Sequence, residues 1–134
     1  MQIGKYFTLE ELTASSVAEK NDIDNTPDET SIQNLIALVK ELMDPVREEL
    51  GMPIIVSSGY RCKTLNTILL GSKTSAHLRG AAMDCYCQDN KMLLEILKKH
   101  EFDQIIIHNS WLHVGYNSKE SGKKNRMQVF NSIP

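Results

Sequence analysis

No apolar run reaches the roughly 18 residues that would suggest a membrane-spanning helix, so no span is expected. Cysteine is scarce as well: Cys62, Cys85 and Cys87 are an odd number, and none forms a C-x-x-C pair. That speaks against a disulfide framework and points to reduced thiols. A strong charge of either sign is missing, with a net −2 over 134 residues and an isoelectric point near 6.1. Nucleic acid as the main partner would call for a basic patch or stripe, and the small cluster Lys123-Lys124 reads as a solvated loop. Repeats, low-complexity tracts and linkers are lacking too. The 134 residues, 41% hydrophobic, are therefore read as one small domain over residues 1–134, able to bury roughly two-thirds of its unfolded surface.

What is present begins with helix signals. Thr8 followed by Glu11 is a capping box, and Phe7 with Leu12 can form the staple around it, so a short helix is predicted to start at Thr8. Thr26-Pro27-Asp28-Glu29 predicts a second start, with Pro at the first helical position. Ile32, Leu35, Ile36, Val39, Leu42, Met43 and Val46 follow at helical spacing and form a core-facing stripe. This helix should run to Leu50 and stop at Gly51, with a kink near Glu41 to Asp44 because Pro45 removes a donor. Strands are predicted over 54–57, 81–87, 104–108 and 111–116, with a last one over 126–130. A short helix or turn over 62–70 and an amphipathic helix over 90–100 lie between them. Because strands and helices do not alternate regularly, the pattern favours an α+β fold with an antiparallel-rich sheet.

The segment Ser75-Ala76-His77-Leu78-Arg79-Gly80-Ala81-Ala82-Met83-Asp84, with Trp111-Leu112-His113 downstream, supplies two imidazoles and one carboxylate. Catalytic zinc takes three protein ligands and leaves its fourth position open, whereas structural zinc is closed by four, usually including Cys. His77, Asp84 and His113 fit the open kind, with one ion per chain. Asp84 lies between Met83 and Cys85 in a hydrophobic strand, where a buried charge needs a partner that a cation would supply. If Asn109-Ser110 is a two-residue turn, His108 pairs with Trp111 and Ile106 with His113. His108 and His113 then share a face, about 7–8 Å apart at Cα. Period two turns Cys85 and Cys87 away from the Asp84 side. A thiolate site is thereby disfavoured, although thiolates bind zinc strongly. His100 follows Lys98-Lys99 at a helix end, a structural position for a cation.

Taken in order, Ser57-Ser58-Gly59-Tyr60-Arg61, Leu65-Asn66, Gly71 to His77, Gly80, Ala82, Asp84 and Trp111-Leu112-His113 resemble the M15 family of zinc peptidases, over about residues 54–116. That family comprises D-Ala-D-Ala carboxypeptidases and peptidoglycan endopeptidases, phage lysins among them, and shares its fold with the Hedgehog signalling domain. The resemblance implies that His77, Asp84 and His113 hold the zinc, that Arg61 engages substrate or the developing oxyanion, and that Ser75 contacts substrate. Relatives carry the general base just before W-x-H, as Glu in many and His in some. Here His108 is the one titratable residue between Asp103 and His113, and its ordinary pKa of about 6.5 suits proton acceptance.

The activity implied is hydrolysis within peptidoglycan stem peptides, as a carboxypeptidase or an endopeptidase, by a monomer. The alternative is a zinc-containing binding module of the same fold that hydrolyses nothing. Met1 to Phe7 lack the charged and apolar regions of a secretory signal. The expectation is therefore a cytoplasmically made protein, of phage or prophage origin, that meets the wall after release at lysis, as part of a virion, or by way of an export signal trimmed from the chain.

Overall fold

The computed structural model describes residues 1–132. Its first half is helical, and side-chain caps set the starts. Helix α1 (Leu9–Thr13) opens on the expected capping box: Thr8 Oγ1 accepts from the Glu11 N–H at 3.1 Å, and Glu11 Oε1 accepts from the Thr8 N–H at 3.1 Å. Helix α2 (Ser16–Lys20), capped by Ser15, was not among the predicted elements. Helix α3 (Glu29–Ala37) starts later than predicted, because Asp28 rather than Thr26 is its cap and accepts from the Ser31 N–H at 2.8 Å. Thr26 is taken by a competing turn, donating through both its N–H and its hydroxyl to Asp24.

The disturbance predicted from Pro45 takes the form of a π-helical stretch, Leu38–Met43, before the chain resumes as α4 (Asp44–Leu50). The Asp44 N–H reaches back five residues to the Val39 carbonyl, which absorbs the extra residue just ahead of the proline. Pro45 then lies in the first turn of α4, where a missing donor is harmless. Gly51 ends the helix at φ 72, as expected of a left-handed terminator.

The second half builds the sheet: β1 (Ile55–Ser58), α5 (Lys63–Ile68), a 3₁₀ turn (Ala76–Arg79), β2 (Ala82–Tyr86), α6 (Asn90–Leu97), β3 (Gln104–Ile107), β4 (Leu112–Gly115) and β5 (Gln128–Asn131). Strand order is β1-β2-β4-β3-β5, antiparallel except for the parallel pair β3 and β5. This is the α+β architecture expected, with a mixed sheet. The Asn109-Ser110 turn also forms as predicted: the His108 N–H donates to the Trp111 carbonyl at 3.0 Å, and Ile106 pairs with His113.

Register divides the sheet into two chemical faces. Met83, Val114 and Ile105 lie in one cross-strand row and Cys85 and Leu112 in another, and all five join Leu35, Leu38, Leu42 and Val46 of the helices in the core. Each large apolar side chain buried this way contributes about 1.5–3 kcal/mol. The intervening row, Asp84, His113 and Ile106, must point the other way. One face of the sheet holds the fold together; the opposite face carries the titratable groups.

Candidate metal centre

Asp84 on β2 and His113 on β4 are directly paired, and His77 is brought over them by the 3₁₀ turn. Asp84 Oδ1 lies 3.1 Å from His77 Nε2 and 3.0 Å from His113 Nδ1. One donor atom from each residue falls within 4.8 Å of the others. Ser75 holds the turn in place by accepting the His77 N–H at 3.2 Å, so its hydroxyl has a structural task at the cleft wall.

The tautomer of His77 follows from its other partner. His77 Nδ1 is 2.6 Å from the Gly59 carbonyl, which can only accept, so Nδ1 carries a proton and in the neutral ring Nε2 presents its lone pair. In the neutral ring two acceptors, Nε2 and a carboxylate oxygen, would thus face each other at 3.1 Å, an arrangement relieved by a proton on Nε2 or by a cation bound between them. The donor set and its orientation therefore fit a metal ion such as zinc.

Gly59 can make this contact because it has no side chain. A Cβ there would lie 2.2 Å from the Leu12 carbonyl oxygen, so only glycine lets the loop press against the end of α1. The Tyr60 N–H donates to the same Leu12 carbonyl at 2.7 Å and locks that approach. Just upstream, the β1–β2 register shifts between Val56 and Ser58, a bulge beside the site that re-aims the chain.

Arg61, on the segment that leaves this bulge, uses one N–H of each of its three side-chain nitrogens. Its Nη2 donates to Asp84 Oδ2 at 3.2 Å, Nε to Ser58 Oγ at 3.0 Å and Nη1 to Asn66 Oδ1 at 3.3 Å. Asp84 thus offers Oδ1 to the histidines while Arg61 holds Oδ2. Burial alone would push the Asp84 carboxyl up, but hydrogen bonds from His113 and His77 and their charges outweigh it and hold the group well below the usual carboxylate range. The anionic form that a metal requires is the one present at neutral pH.

The group opens into a cleft of about 680 Å³ lined also by Arg61, Ser75, His108 and Trp111. His108 stacks on Trp111, ring centroids 3.5 Å apart and planes 9° from parallel. Burial is the main cause that lowers the His108 pKa below its ordinary value, with the Asp84 charge opposing and His113 assisting. Its imidazole is neutral at pH 7 and able to take a proton.

The remaining sequence candidates lie apart. Cys85 is in the apolar core, where burial pushes its thiol well above the usual range, opposing a thiolate site. His100 sits 3.5 Å from Glu49, away from the cleft. Residues with no role at the site expected from the sequence also shape the cleft, for Arg79, Asp103 and Arg126 line it, and within the motif Ser58 and the Gly59 carbonyl orient Arg61 and His77.

A small α+β domain whose sheet presents a His-Asp-His donor group to an open cleft fits a class, that of proteins able to hold a metal ion. The chain belongs within it to the peptidase M15 family, whose sequence model, described as Peptidase M15, matches residues 5–115. No curated protein matches the chain. M15 peptidases are zinc-dependent, and the His77, Asp84 and His113 group could hold such an ion. The protein is a metallopeptidase by family.

Proposed function

We propose that this protein hydrolyses peptide bonds in peptidoglycan stem peptides, as a carboxypeptidase or endopeptidase, with one zinc ion held by His77 Nε2, Asp84 Oδ1 and His113 Nδ1. The observation that carries the reading is the convergence of those three atoms at the floor of a cleft with a neutral imidazole, His108, on its wall. Bound zinc would supply Lewis-acid polarisation of the scissile carbonyl and a water acidic enough to react near neutral pH.

The chain's own residues do the rest. His108 accepts the proton of the attacking water and returns it to the leaving amine, and its stacking on Trp111 fixes the plane of the ring for both transfers. Arg61 holds Asp84 from behind through Nη2, and its N–H groups not used by Ser58, Asn66 and Asp84 are available to the substrate oxygen as charge develops there. Ser75 sets the height of His77 and borders the bound peptide. The enzyme acts as a monomer on the wall after release at lysis or as a virion component.

A second reading has one observation in its favour. Arg61 is largely occupied by Asp84, and no carboxylate stands where relatives carry the base. A zinc-holding wall-binding module would tolerate both. Incubation with purified peptidoglycan, with and without a chelator, followed by mass spectrometry, separates the two. Zinc-dependent release of stem-peptide fragments is expected. Binding without any fragment, from walls of several cross-link chemistries, would replace the enzyme by the module.

A further inference from the structure

Arg79 ends the 3₁₀ turn that carries His77, and its backbone is fastened from two directions. Asn34 Nδ2 donates to its carbonyl at 2.8 Å. The next residue, Gly80, has φ 73 and lies so close to α3 that a Cβ there would be 2.4 Å from the Ser31 carbonyl oxygen. The side chain is half-buried and lines the cleft, yet among the described residues its guanidinium has neither a hydrogen bond nor an ion pair.

The other two arginines of the cleft are neutralised. Arg61 is paired with Asp84. Arg126 is bidentate on Asp103, Nε to Oδ1 at 2.9 Å and Nη2 to Oδ2 at 2.8 Å, and its own N–H also takes Oδ1 at 3.1 Å. Asp103 has little acceptor capacity left for Arg79, although the Arg79 charge adds to that of Arg126 in keeping its carboxyl low. A guanidinium on a fastened turn, beside a carboxylate already bidentate on Arg126, leaves one positive charge in the cleft without a hydrogen bond or ion pair among the described residues.

Its place relative to the donor group is set by β4. Gly115 lies two residues beyond His113 on the same face, about 7 Å along the strand, and Trp111 lies two residues before it. Arg79, Gln104 and Arg126 line the cleft together with Gly115, whereas His108 stacks on Trp111. The cleft is therefore aromatic at one end and cationic at the other, with the donor group between. At the cationic end the missing Gly115 side chain leaves room: a Cβ there would meet only ordinary contacts, 3.6 Å to the Gln104 carbonyl oxygen and 3.8 Å to that of Ala81.

We propose that Arg79 reads a carboxylate of the bound peptide, about two residues from the scissile bond on the Gly115 side, and so makes an acidic stem-peptide residue a determinant of specificity. This deepens the peptidase reading and rests on it. An extended peptide advances about 3.3 Å per residue, which brings its second residue from the reacting bond level with Gly115. A planar guanidinium carried on a rigid turn matches a carboxylate through two parallel hydrogen bonds, and loses them when the carboxylate becomes an amide.

The test compares kcat/KM for two synthetic stem peptides identical except that this carboxylate is free or amidated. Wild type is expected to prefer the free acid by about 10–100-fold, the usual scale for a charge-assisted contact. Arg79→Gln should bring the ratio near unity, and Arg79→Glu should invert it, with melting temperatures close to wild type. Gly115→Val, which fills the cationic end from β4, should raise KM for the acid. Equal cleavage of both peptides by wild type, or an unchanged preference in Arg79→Gln, overturns the assignment while leaving the peptidase reading intact. Failure to cleave either peptide, together with no release from intact wall, removes both.

Discussion

Asp84→Asn keeps the shape of the residue that joins both histidines and Arg61 and removes only its charge. Two separate losses follow. Without metal, the variant leaves Arg61, whose side chain is 14% exposed, facing a neutral amide in place of a carboxylate that is 7% exposed. Breaking a buried pair costs about 3–5 kcal/mol. The bonds Arg61 keeps to Ser58 and Asn66 and its residual hydration bring this to about 2–3 kcal/mol. With an unfolding entropy of about 2.1 cal/mol/K per residue, 134 residues give about 0.28 kcal/mol/K, so melting in chelator should fall by about 7–11 °C. With metal, zinc at a thousandfold excess over its Kd stabilises wild type by about 4.1 kcal/mol, a further rise of about 15 °C. The variant should show almost none of that rise. Calorimetric melts of both proteins, in chelator and in excess zinc, measure the two losses independently. A zinc-induced rise of equal size in the variant, or none in wild type, would refute the assignment of Asp84 as a ligand.

Four further outcomes follow from the same geometry. His108→Ala should keep its zinc and its fold while losing roughly 10²–10⁴-fold in turnover, and unchanged single-turnover rates would remove it as the base. Arg61→Lys should weaken zinc binding about 10–100-fold, because a point charge cannot hold Asp84, Ser58 and Asn66 together; wild-type zinc affinity by competition titration would contradict this. Gly59→Ala should destabilise the protein by about 1–3 kcal/mol, since the added methyl meets the Leu12 backbone, and should also lower zinc affinity by moving the carbonyl that fixes His77. Hydrogen bonds from Arg126 hold Asp103 below the usual carboxylate range, against burial. Its stabilising contribution is therefore complete above about pH 4 and is lost as pH falls through the folded-state pKa. The stability gap between wild type and Asp103→Asn should shrink on acidification, and denaturant melts showing it widen would refute the pairing.

The parts of the molecule legible in the sequence are those governed by a local period. Period two along 81–87 and a two-residue turn at Asn109-Ser110 were enough to set His108 and His113 on one face and to send Cys85 into the core, and the register agrees. Helix ends were legible where one candidate stood alone, as with Thr8 and Gly51. They were not where two competed: Thr26 and Asp28 both suit a cap, and the outcome turned on Asp24 drawing Thr26 into its own turn. Pro45 likewise announced a disturbance without its form, because a π-helical stretch and a kink both answer a missing donor.

Long-range pairing hid the rest of the site. The tie between Arg61 and Asp84 spans 23 residues, beside a loop whose Gly59 fits against α1, which no spacing within the motif reveals. Asp103 and Arg126 are 23 residues apart, and each alone reads as a solvated surface charge. Arg79 is the clearest case, because its significance lies in what its neighbours already hold. A lone arginine between His77 and Gly80 says nothing until Arg126 is seen to occupy both oxygens of Asp103, Asn34 to fasten the Arg79 carbonyl, and Gly115 to leave the floor open. A cation left at half-burial without a hydrogen bond or ion pair among the described residues forgoes stabilisation there, and a charge from outside recovers that energy as binding. The selectivity of the cleft is therefore expected to reside in residues that local patterns leave anonymous, while its chemistry resides in those that the motifs declare.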